Sequence, residues 1–247
     1  MNDDLRERFG TLTSADVATL DRAAQESGVS VMQLMEIAGW QVARCAWRML
    51  GDAPGAVLVV AGRGNNGGDG LVAARHLSTW GCAVRAFVLS EPERLSELAA
   101  AHVASARNDG VDVTLSEDAG KLAPELRASP LVIDGLLGTG LSAEPREPQA
   151  SAIRALNDAG LRILSIDVPS GLDATSGNVP SACVSATATC TLTAMKAGLW
   201  TEGARGVVGD ITVADIGMPR AAWERCGLRQ PTEIRGGGLA SLPTITR

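Results

Sequence analysis

The chain has 247 residues, 45% of them hydrophobic, which is enough to bury the core of one domain. Its formal charge of −6 and pI near 5.0, with no run of Lys or Arg, exclude the basic surface that binds nucleic-acid phosphates. Five cysteines, odd in number and widely spaced, exclude a disulfide framework and indicate no zinc site.

The first ten residues, MNDDLRERFG, are polar and acidic, whereas a secretory signal peptide begins with basic and then apolar residues. No apolar run approaches the length that spans a bilayer. We therefore expect a soluble protein of the reducing cytoplasm, with neither membrane nor nucleic acid among its partners.

Two helices are predicted before the first strand. The first lies in TSADVATLDRAAQESG, which begins at a Ser/Thr cap and ends at Gly28. The second lies in SVMQLMEIAGWQVARCAWRML, whose apolar residues have the spacing of a buried helical stripe. After GDAPG the pattern changes to short apolar runs separated by helical stretches. The predicted strands are 56–61, 83–89, 111–115, 131–134, 161–167, 188–193 and 210–215.

Short buried strands that alternate with helices predict right-handed βαβ units and a mostly parallel sheet covered on both faces, a doubly wound α/β fold. The last two predicted strands lack a long helix between them, which favours antiparallel pairing there. Periodicity ends at Pro231, so residues 1–230 are predicted as one domain and 231–247 as a tail or linker. Ligands of such sheets bind beyond the carboxyl ends of the strands, where the strand order reverses.

The first motif, AGRGNNGGDG, follows the first predicted strand. It satisfies GxGxxG between a strand and a helix, and Glu91 lies after the second strand, where a ribose-binding acid is expected. The pattern alone is weak, and two asparagines and Asp69 add amide and carboxylate groups. The structural alternatives are a turn that needs asparagine and Asp69 as a helix cap.

Two further motifs, VIDGLLGTGLSAEP and ILSIDVPSGLDATSG, place Asp134 and Asp167 at the ends of successive buried strands. Two such carboxylates would repel unless a cation or a raised pKa relieves them. Oxygen donors from Asn66, Asp134 and Ser170 suit a hard cation such as potassium, sodium or magnesium. A helix-cap role is the alternative for Asp134, and Asp173 is expected to stabilise its turn.

GRGNNGGDG, IDGLLGTGL and IDVPSGLDATSG, together with the leading LMEIAGWQVA, resemble the NAD(P)H-hydrate epimerase family, also called the YjeF amino-terminal domain family. The resemblance runs from about Thr11 to about Pro219. It implies a Rossmann-like three-layer α/β/α sandwich with a mostly parallel sheet and two leading helices. It also implies a homodimer that interconverts the R and S hydrates of NADH and NADPH, so that a separate or fused dehydratase can restore the cofactor.

The resemblance assigns site residues by position. Those implied to bind the hydrate are Asn65, Asn66, Gly67, Gly68, Asp69, Gly138, Thr139, Gly140, Leu141, Ser142, Ala143, Glu144 and Asp167. Those implied to hold a potassium ion are Asn66, Asp134 and Ser170. One departure is TAMKAGL, where family members usually have a proline before the lysine, here Lys196.

The chemistry of this epimerisation needs an acid and no redox partner. Protonation of the hydroxyl lets the ring nitrogen expel water, and the planar iminium takes water back on either face. A partly protonated carboxyl serves both directions, and we predict that Asp167 supplies it. Lys196 is expected either to tune the pKa of Asp167 or to touch the ligand, with a solvated surface lysine as the alternative.

Two rival functions stay open. A nicotinamide-dependent oxidoreductase fits GxGxxG, yet the chain has no tyrosine for a Ser-Tyr-Lys relay, and His76 and His102 both lie in predicted helices. It would also leave both aspartate motifs unexplained. A non-catalytic scaffold of the same fold, which binds a ligand or a protein, is the other rival; the acidic groups of all three motifs argue against a decayed site.

Overall fold

The computed structural model describes residues 3–141 and 143–242. Its strands are β1 (Ala56–Ala61), β2 (Ala83–Val88), β3 (Asp112–Leu115), β4 (Leu131–Gly135), β5 (Arg162–Ile166), β6 (Ala188–Leu192), β7 (Asp210–Ala214) and β8 (Leu239–Ser241). Its α-helices are α1 (Asp3–Phe9), α2 (Ser14–Glu26), α3 (Val31–Met49), α4 (Asn65–Thr79), α5 (Glu97–Asn108), α6 (Leu122–Leu126), α7 (Gln149–Asp158), α8 (Arg205–Val208) and α9 (Arg220–Cys226).

The strands form one sheet in the order β3-β2-β1-β4-β5-β6-β7-β8. Neighbouring strands from β3 to β7 pair in parallel, and β8 pairs antiparallel with β7. The chain order reverses between β1 and β4, which places a crevice at their carboxyl ends. The predicted α/β fold with a mostly parallel sheet is confirmed.

The sheet is covered on both faces because its strands are apolar on both sides. In β1, Val57 and Val59 pack into one buried cluster with α2, α3 and α4, while Leu58 and Val60 pack into a second cluster with α6 and α7. Alternate side chains of a strand point to opposite faces, so the continuous apolar run produces three layers.

The two predicted leading helices are confirmed as α2 and α3. Each begins with a capping box, at Thr13 and at Ser30 respectively, which satisfies backbone N–H groups of the first turn. A third helix, α1, precedes them and buries Phe9. Close packing holds α3 to α4, since a Cβ at Gly39 would lie 2.4 Å from Cβ of Val72.

The end of the sheet differs from the expectation. The last two predicted strands, β6 and β7, pair in parallel through a connection that contains only short helical turns, so the predicted antiparallel pairing of these two is wrong. The antiparallel strand is β8, from the segment predicted as a tail or linker. In that segment Ile234 is buried, and Gln41 of α3 donates to the carbonyl of Gly237 over 3.2 Å. In the described part of the chain, no helix combines the length and the hydropathy needed to cross a bilayer.

Candidate active site at the switch point of the sheet

A cavity of about 1010 Å³ opens at the carboxyl ends of β1, β4 and β5. Its polar wall comes from the start of α4, the loop after β4 and the end of β5. Its apolar wall comes largely from α2, α3 and the segment after β7, and includes Val17, Ala18, Leu34, Met35, Ala38, Ile216 and Met218. The volume lies at the upper end of ligand pockets and suits a dinucleotide.

The glycine-rich stretch after β1 forms the start of α4. The helix begins at Asn65, and its N-cap Gly64 makes no side-chain capping bond. Asp69 therefore lies in the second helical turn, and the alternative of Asp69 as the helix cap is wrong. Asn65 and Asn66 are helical, without positive φ, so the alternative of a turn that needs asparagine is wrong as well.

Two glycines of this stretch are required by close backbone packing. A Cβ at Gly62 would lie 2.1 Å from the carbonyl oxygen of Leu136, and one at Gly67 would lie 1.9 Å from that of Gly62. A Cβ at Gly68 would lie 2.4 Å from Sδ of Met35. The glycines thus hold α4 against the loop after β4 and against α3, and contact of Gly67 and Gly68 with a ligand stays a prediction.

The three predicted potassium ligands meet around the peptide of Leu137. Nδ2 of Asn66 donates to the carbonyl of Leu137 over 2.9 Å. The Ser170 hydroxyl accepts from the backbone N–H of Leu137 over 2.8 Å and lies 2.6 Å from Oδ1 of Asp134. The structure brings the three residues together, and the ion itself stays a prediction.

Asp134 is completely buried at the end of β4. Its carboxylate accepts hydrogen bonds from the backbone N–H groups of Leu136 and Ser170 and from the hydroxyls of Ser165 and Ser170. Burial raises the pKa of Asp134, and these hydrogen bonds oppose the rise. All four donor groups are neutral. The alternative of Asp134 as a helix cap is wrong because these bonds join β4 to the end of β5.

Asp167 follows β5 with φ of +67°, a backbone conformation that residues other than glycine rarely adopt. Its N–H donates to the carbonyl of Cys190 over 2.8 Å, which helps to hold this conformation. Its Oδ1 accepts from Nζ of Lys196, from the N–H of Leu192 over 3.0 Å and from the hydroxyl of Thr191 over 3.4 Å. Strained backbone of this kind is concentrated at functional sites, which supports a role for Asp167.

Lys196 is buried beside Asp167, with 1% of its surface exposed. Its ammonium also donates to the carbonyls of Leu192 and Ala194. The alternative of a solvated surface lysine is therefore wrong. The missing proline has a structural counterpart, because the N–H of Met195 donates to the carbonyl of Phe9 over 3.1 Å, a bond that proline could not make.

Asp69 faces the same cavity in a different environment. It is 8% exposed, and its carboxyl has no hydrogen-bond partner among the residues that the structure describes. Burial raises the pKa of Asp69 well above its usual value; the negative charges of Asp167 and Asp21 raise it further, and Lys196 opposes them. One cavity thus holds one carboxyl group with three hydrogen-bond donors, Asp167, and another with none among the described residues, Asp69.

Asp21 is a lining residue that the sequence analysis missed. It lies on α2, and burial, followed by the charge of Asp167, raises its pKa. The signal that could have found it is helical spacing: Asp21 comes four residues after Val17 and three before Ala24, both of which pack into the core. A carboxylate on the apolar face of a helix is unusual without a function.

The structure separates the other predicted site residues into groups. Those that line the cavity are Asn65, Asn66, Asp69, Gly138, Thr139, Gly140, Leu141, Ala143, Glu144 and Asp167. Ser142 lies outside the described residues. Glu91 accepts from the backbone N–H of Glu117 over 3.2 Å, a structural contact at the end of β2.

The remaining sequence expectations concern residues outside the cavity wall. Asp173 accepts from the N–H groups of Thr175 and Ser176, as expected of a turn-stabilising carboxylate. His76 and His102 lie in α4 and α5. Both are packing residues, as the sequence predicts: His76 contacts Glu36 of α3 over 3.0 Å, and His102 is buried.

Comparison with known proteins matches residues 31–198 to the family described as YjeF-related protein N-terminus. This match covers more than half of the chain, including all three motifs of the cavity. The chain belongs to the YjeF-related N-terminus family. The matched segment contains Asp167, with its strained backbone, and its partner Lys196. The segment shared with the family therefore includes the polar wall of the cavity.

Relatives in the YjeF-related family carry informative names. A protein of Pirellula staleyi named NAD(P)H-hydrate epimerase is 35% identical over 82% of this chain and 89% of its own length. One of the same name from Dehalogenimonas lykanthroporepellens is 38% identical over 85% of this chain and 83% of its own. A bifunctional NAD(P)H-hydrate repair enzyme of Hyperthermus butylicus is 42% identical, but the match covers only 39% of that longer protein.

A solved structure of the same fold supports the assignment. The crystal structure of yeast ynu0 superposes with a TM-score of 0.82 at 27% identity, covering 94% of this chain and 99% of the yeast chain. The Rossmann-like sandwich implied by the resemblance is thereby confirmed over nearly the whole length of both proteins.

Proposed function

We propose that this YjeF-family chain is an NAD(P)H-hydrate epimerase, an isomerase that interconverts the R and S hydrates of NADH and NADPH. The observation that carries the proposal is that one cavity of about 1010 Å³ is lined by the Asn65–Asp69 segment, the loop after β4 and Asp167. The names of the two relatives that match over most of their length support the same activity.

The reacting carbon of the hydrate carries a hydroxyl beside a ring nitrogen. Donation of a proton to that hydroxyl lets the nitrogen lone pair form a carbon–nitrogen double bond as water leaves. The planar cation then accepts water on the opposite face, and the proton returns to the protein. Carboxyl groups of the cavity supply the proton and stabilise the cation, and the apolar wall limits competing water.

A potassium ion fits the residues beneath the cavity. Asn66, Asp134 and Ser170 offer oxygen atoms around one peptide, and among the described residues the hydrogen-bond donors to the buried Asp134 are all neutral. Oxygen-only sets of this kind suit a hard cation. A bound monovalent ion would neutralise Asp134 and fix the loop after β4. Because such an ion is a weak Lewis acid, its role would be to organise the site and not to activate water.

Assembly and pathway context follow from the same proposal. We expect a homodimer, since α3 exposes Met32, Ile37 and Trp40. The chain spans about two fifths of the length of its bifunctional relatives, whose name indicates a second repair activity. A dehydratase acting on one hydrate, separate or fused, is therefore the expected functional partner, in the cytoplasm.

An oxidoreductase is the less favoured candidate. GxGxxG is accounted for by backbone packing at Gly62 and Gly67, and the chain has no tyrosine for a proton relay. A non-catalytic scaffold is disfavoured because a decayed site has no need of the buried Lys196–Asp167 pair.

The test supplies one purified hydrate epimer and follows the other by chromatography. Wild type should interconvert them faster than buffer does, with a higher rate in potassium than in a large organic cation, and Asp167→Ala should be much slower. Loss of NADH absorbance against a panel of carbonyl substrates would instead favour an oxidoreductase. Interconversion no faster than in buffer would contradict the epimerase proposal.

A further inference from the structure

We propose that Asp69 carries the proton exchanged with the substrate hydroxyl, while Asp167 is the charged group that stabilises the cation formed when the hydroxyl leaves. This inference rests on the proposed function. It divides between two residues the work that the sequence analysis gave to Asp167 alone.

The carboxyl groups of Asp167 and Asp69 differ in the hydrogen bonds that they accept. Oδ1 of Asp167 accepts from an ammonium, a backbone N–H and a hydroxyl, all of which favour the ionised form. The Asp69 carboxyl receives none from the described residues. A buried carboxylate without donors is costly, whereas the neutral acid is much less so. The hydrogen-bond geometry therefore favours Asp69 as the acid that holds the proton.

Charged groups on three segments act on the Asp69 carboxyl. The groups that act on it are Asp167 after β5, Asp21 on α2 and Lys196 after β6. Lys196 is already bonded to Asp167, and the larger effects on Asp69 come from the two carboxyl groups, which oppose its ionisation. Carboxyl groups that share one site are not all ionised, and the carboxyl group with the fewest hydrogen-bond donors keeps its proton.

Asp69 and Asp167 lie in the wall of the same cavity, on two different elements. Asp69 lies on α4 and Asp167 after β5, and the charge of Asp167 acts on the Asp69 carboxyl, so both groups face the space that a ligand would fill. Gly70 directly after Asp69 keeps α4 close to the sheet, since a Cβ there would lie 3.0 Å from Cγ1 of Val59. Asp69 is thus fixed on a packed helix, as a proton donor requires.

The proposed step balances without any redox partner. The Asp69 carboxylic acid gives its proton to the hydroxyl oxygen, the carbon–oxygen bond breaks with both electrons on oxygen, and water leaves. The ring nitrogen lone pair forms the new carbon–nitrogen bond, and the cation lies beside the Asp167 carboxylate. Water then adds to the opposite face and loses a proton to solvent, and the Asp69 carboxylate takes a proton back from solvent, which restores the starting state.

Infrared difference spectroscopy tests where the proton resides, independently of activity. At neutral pH the wild-type minus Asp69→Asn difference spectrum should contain the carbonyl stretch of a protonated carboxylic acid. Taking the difference removes any bands of Asp21 and Asp134, whose pKa values burial also raises. The difference spectrum of wild type against Asp158→Asn, a matched control at an exposed position on α7, should lack this stretch. A wild-type minus Asp69→Asn difference spectrum without the stretch would overturn the proposal.

Kinetics test what the proton does. Asp69→Asn should lower the rate of epimer interconversion by about 10² to 10⁴ with little change in KM, as expected for loss of a general acid. Asp69→Glu, which keeps a carboxyl group, should retain the infrared band and recover part of the rate, and it serves if the Asn variant fails to fold. An Asp69→Asn rate within a few-fold of wild type would overturn the proposal.

The two levels of failure are distinguishable. If wild type itself does not interconvert the epimers, the proposed function fails, and the infrared spectra still decide whether Asp69 holds the proton. If wild type is active and Asp69→Asn is equally active, only the assignment of Asp69 fails.

Discussion

The ammonium of Lys196 and the carboxylate of Asp167 form an ion pair inside the molecule, with 1% and 11% of their side chains exposed. The pair joins the loop after β6 to the end of β5 at the edge of the cavity. Removing one member of such a pair leaves a buried charge without compensation, which is strongly destabilising.

Lys196→Met should therefore lower the free energy of unfolding by about 3–5 kcal/mol in chemical denaturation. The second lysine of the chain, the exposed Lys121, provides the matched control Lys121→Met, which should change stability little. Adding Asp167→Asn to Lys196→Met should recover part of the loss. Equal effects of the two lysine substitutions would contradict a structural ion pair.

The raised pKa of Asp69 gives a prediction for stability against pH. A buried acid with a raised pKa binds more protons in the folded than in the unfolded state, so its contribution is complete below the unfolded pKa near 3.9 and is lost as pH rises through the folded pKa. The Asp69→Asn variant lacks this loss.

The free energy of unfolding of Asp69→Asn, relative to wild type, should therefore increase with pH above about 4, with a slope of up to about 1.4 kcal/mol per pH unit. Denaturation curves at a series of pH values measure it, with Asp158→Asn as the control. A constant difference between variant and wild type would show that Asp69 titrates normally.

Two exposed arginines give a prediction for binding. Arg63 and Arg146 line the cavity. Lys196 lines the described wall too, but its ammonium is already bonded to Asp167, which leaves the two arginines as cations for a ligand. The pyrophosphate of a dinucleotide needs cationic partners, so Arg63→Ala should weaken binding of NADP⁺ about tenfold in titration calorimetry, as for one charge-assisted hydrogen bond. Arg205→Ala, at an exposed position on α8, should bind as wild type does. Equal affinities for all three proteins would place the pyrophosphate elsewhere.

Exposed apolar side chains on α3 give a prediction for assembly. Met32, Ile37 and Trp40 are 51%, 38% and 39% exposed, and Arg44 stacks on Trp40 with 4.8 Å from Cζ to the ring centroid. If this face is the dimer interface, Trp40→Glu should give monomers in light scattering because the charge would be buried without a partner.

The control for assembly is Gln25→Glu, which adds the same charge at an exposed position on α2 and should leave the dimer intact. A wild-type monomer at working concentrations would contradict the homodimer. A dimer that survives Trp40→Glu would place the interface on another face.

The parts of the fold that the sequence predicts are those that local pattern determines. β1 and β4 are continuous apolar runs followed by motifs, and α2 and α3 begin at Ser/Thr caps, so their positions follow from residue order alone. In contrast, α1 is acidic and polar and is held by Phe9 in a buried cluster with Met195, which is distant in sequence. β8 is only three residues long and directly follows a glycine-rich stretch. It forms a strand because it pairs with β7.

The same distinction applies to the candidate site. The motif residues Asp134 and Asp167 stand at strand ends, and Asn66 stands in the first turn of the helix after β1, so their convergence follows from the parallel sheet. Asp21 reaches the cavity only because α2 packs across it, and the burial of Lys196 depends on the loop that Phe9 and Leu12 hold in place. Contacts between distant segments decide these two positions. Helical spacing marks Asp21 as a carboxylate on an apolar face but does not place it at the cavity.

The central claim is that this cavity epimerises the hydrate by loss and return of water. The most direct measurement is incubation of one purified hydrate epimer in water enriched in heavy oxygen, with both epimers then separated and weighed by mass spectrometry. The account predicts that wild type forms the second epimer far faster than buffer does and that this epimer carries the heavy oxygen at the reacting carbon. Formation of the second epimer no faster than in buffer would contradict the account.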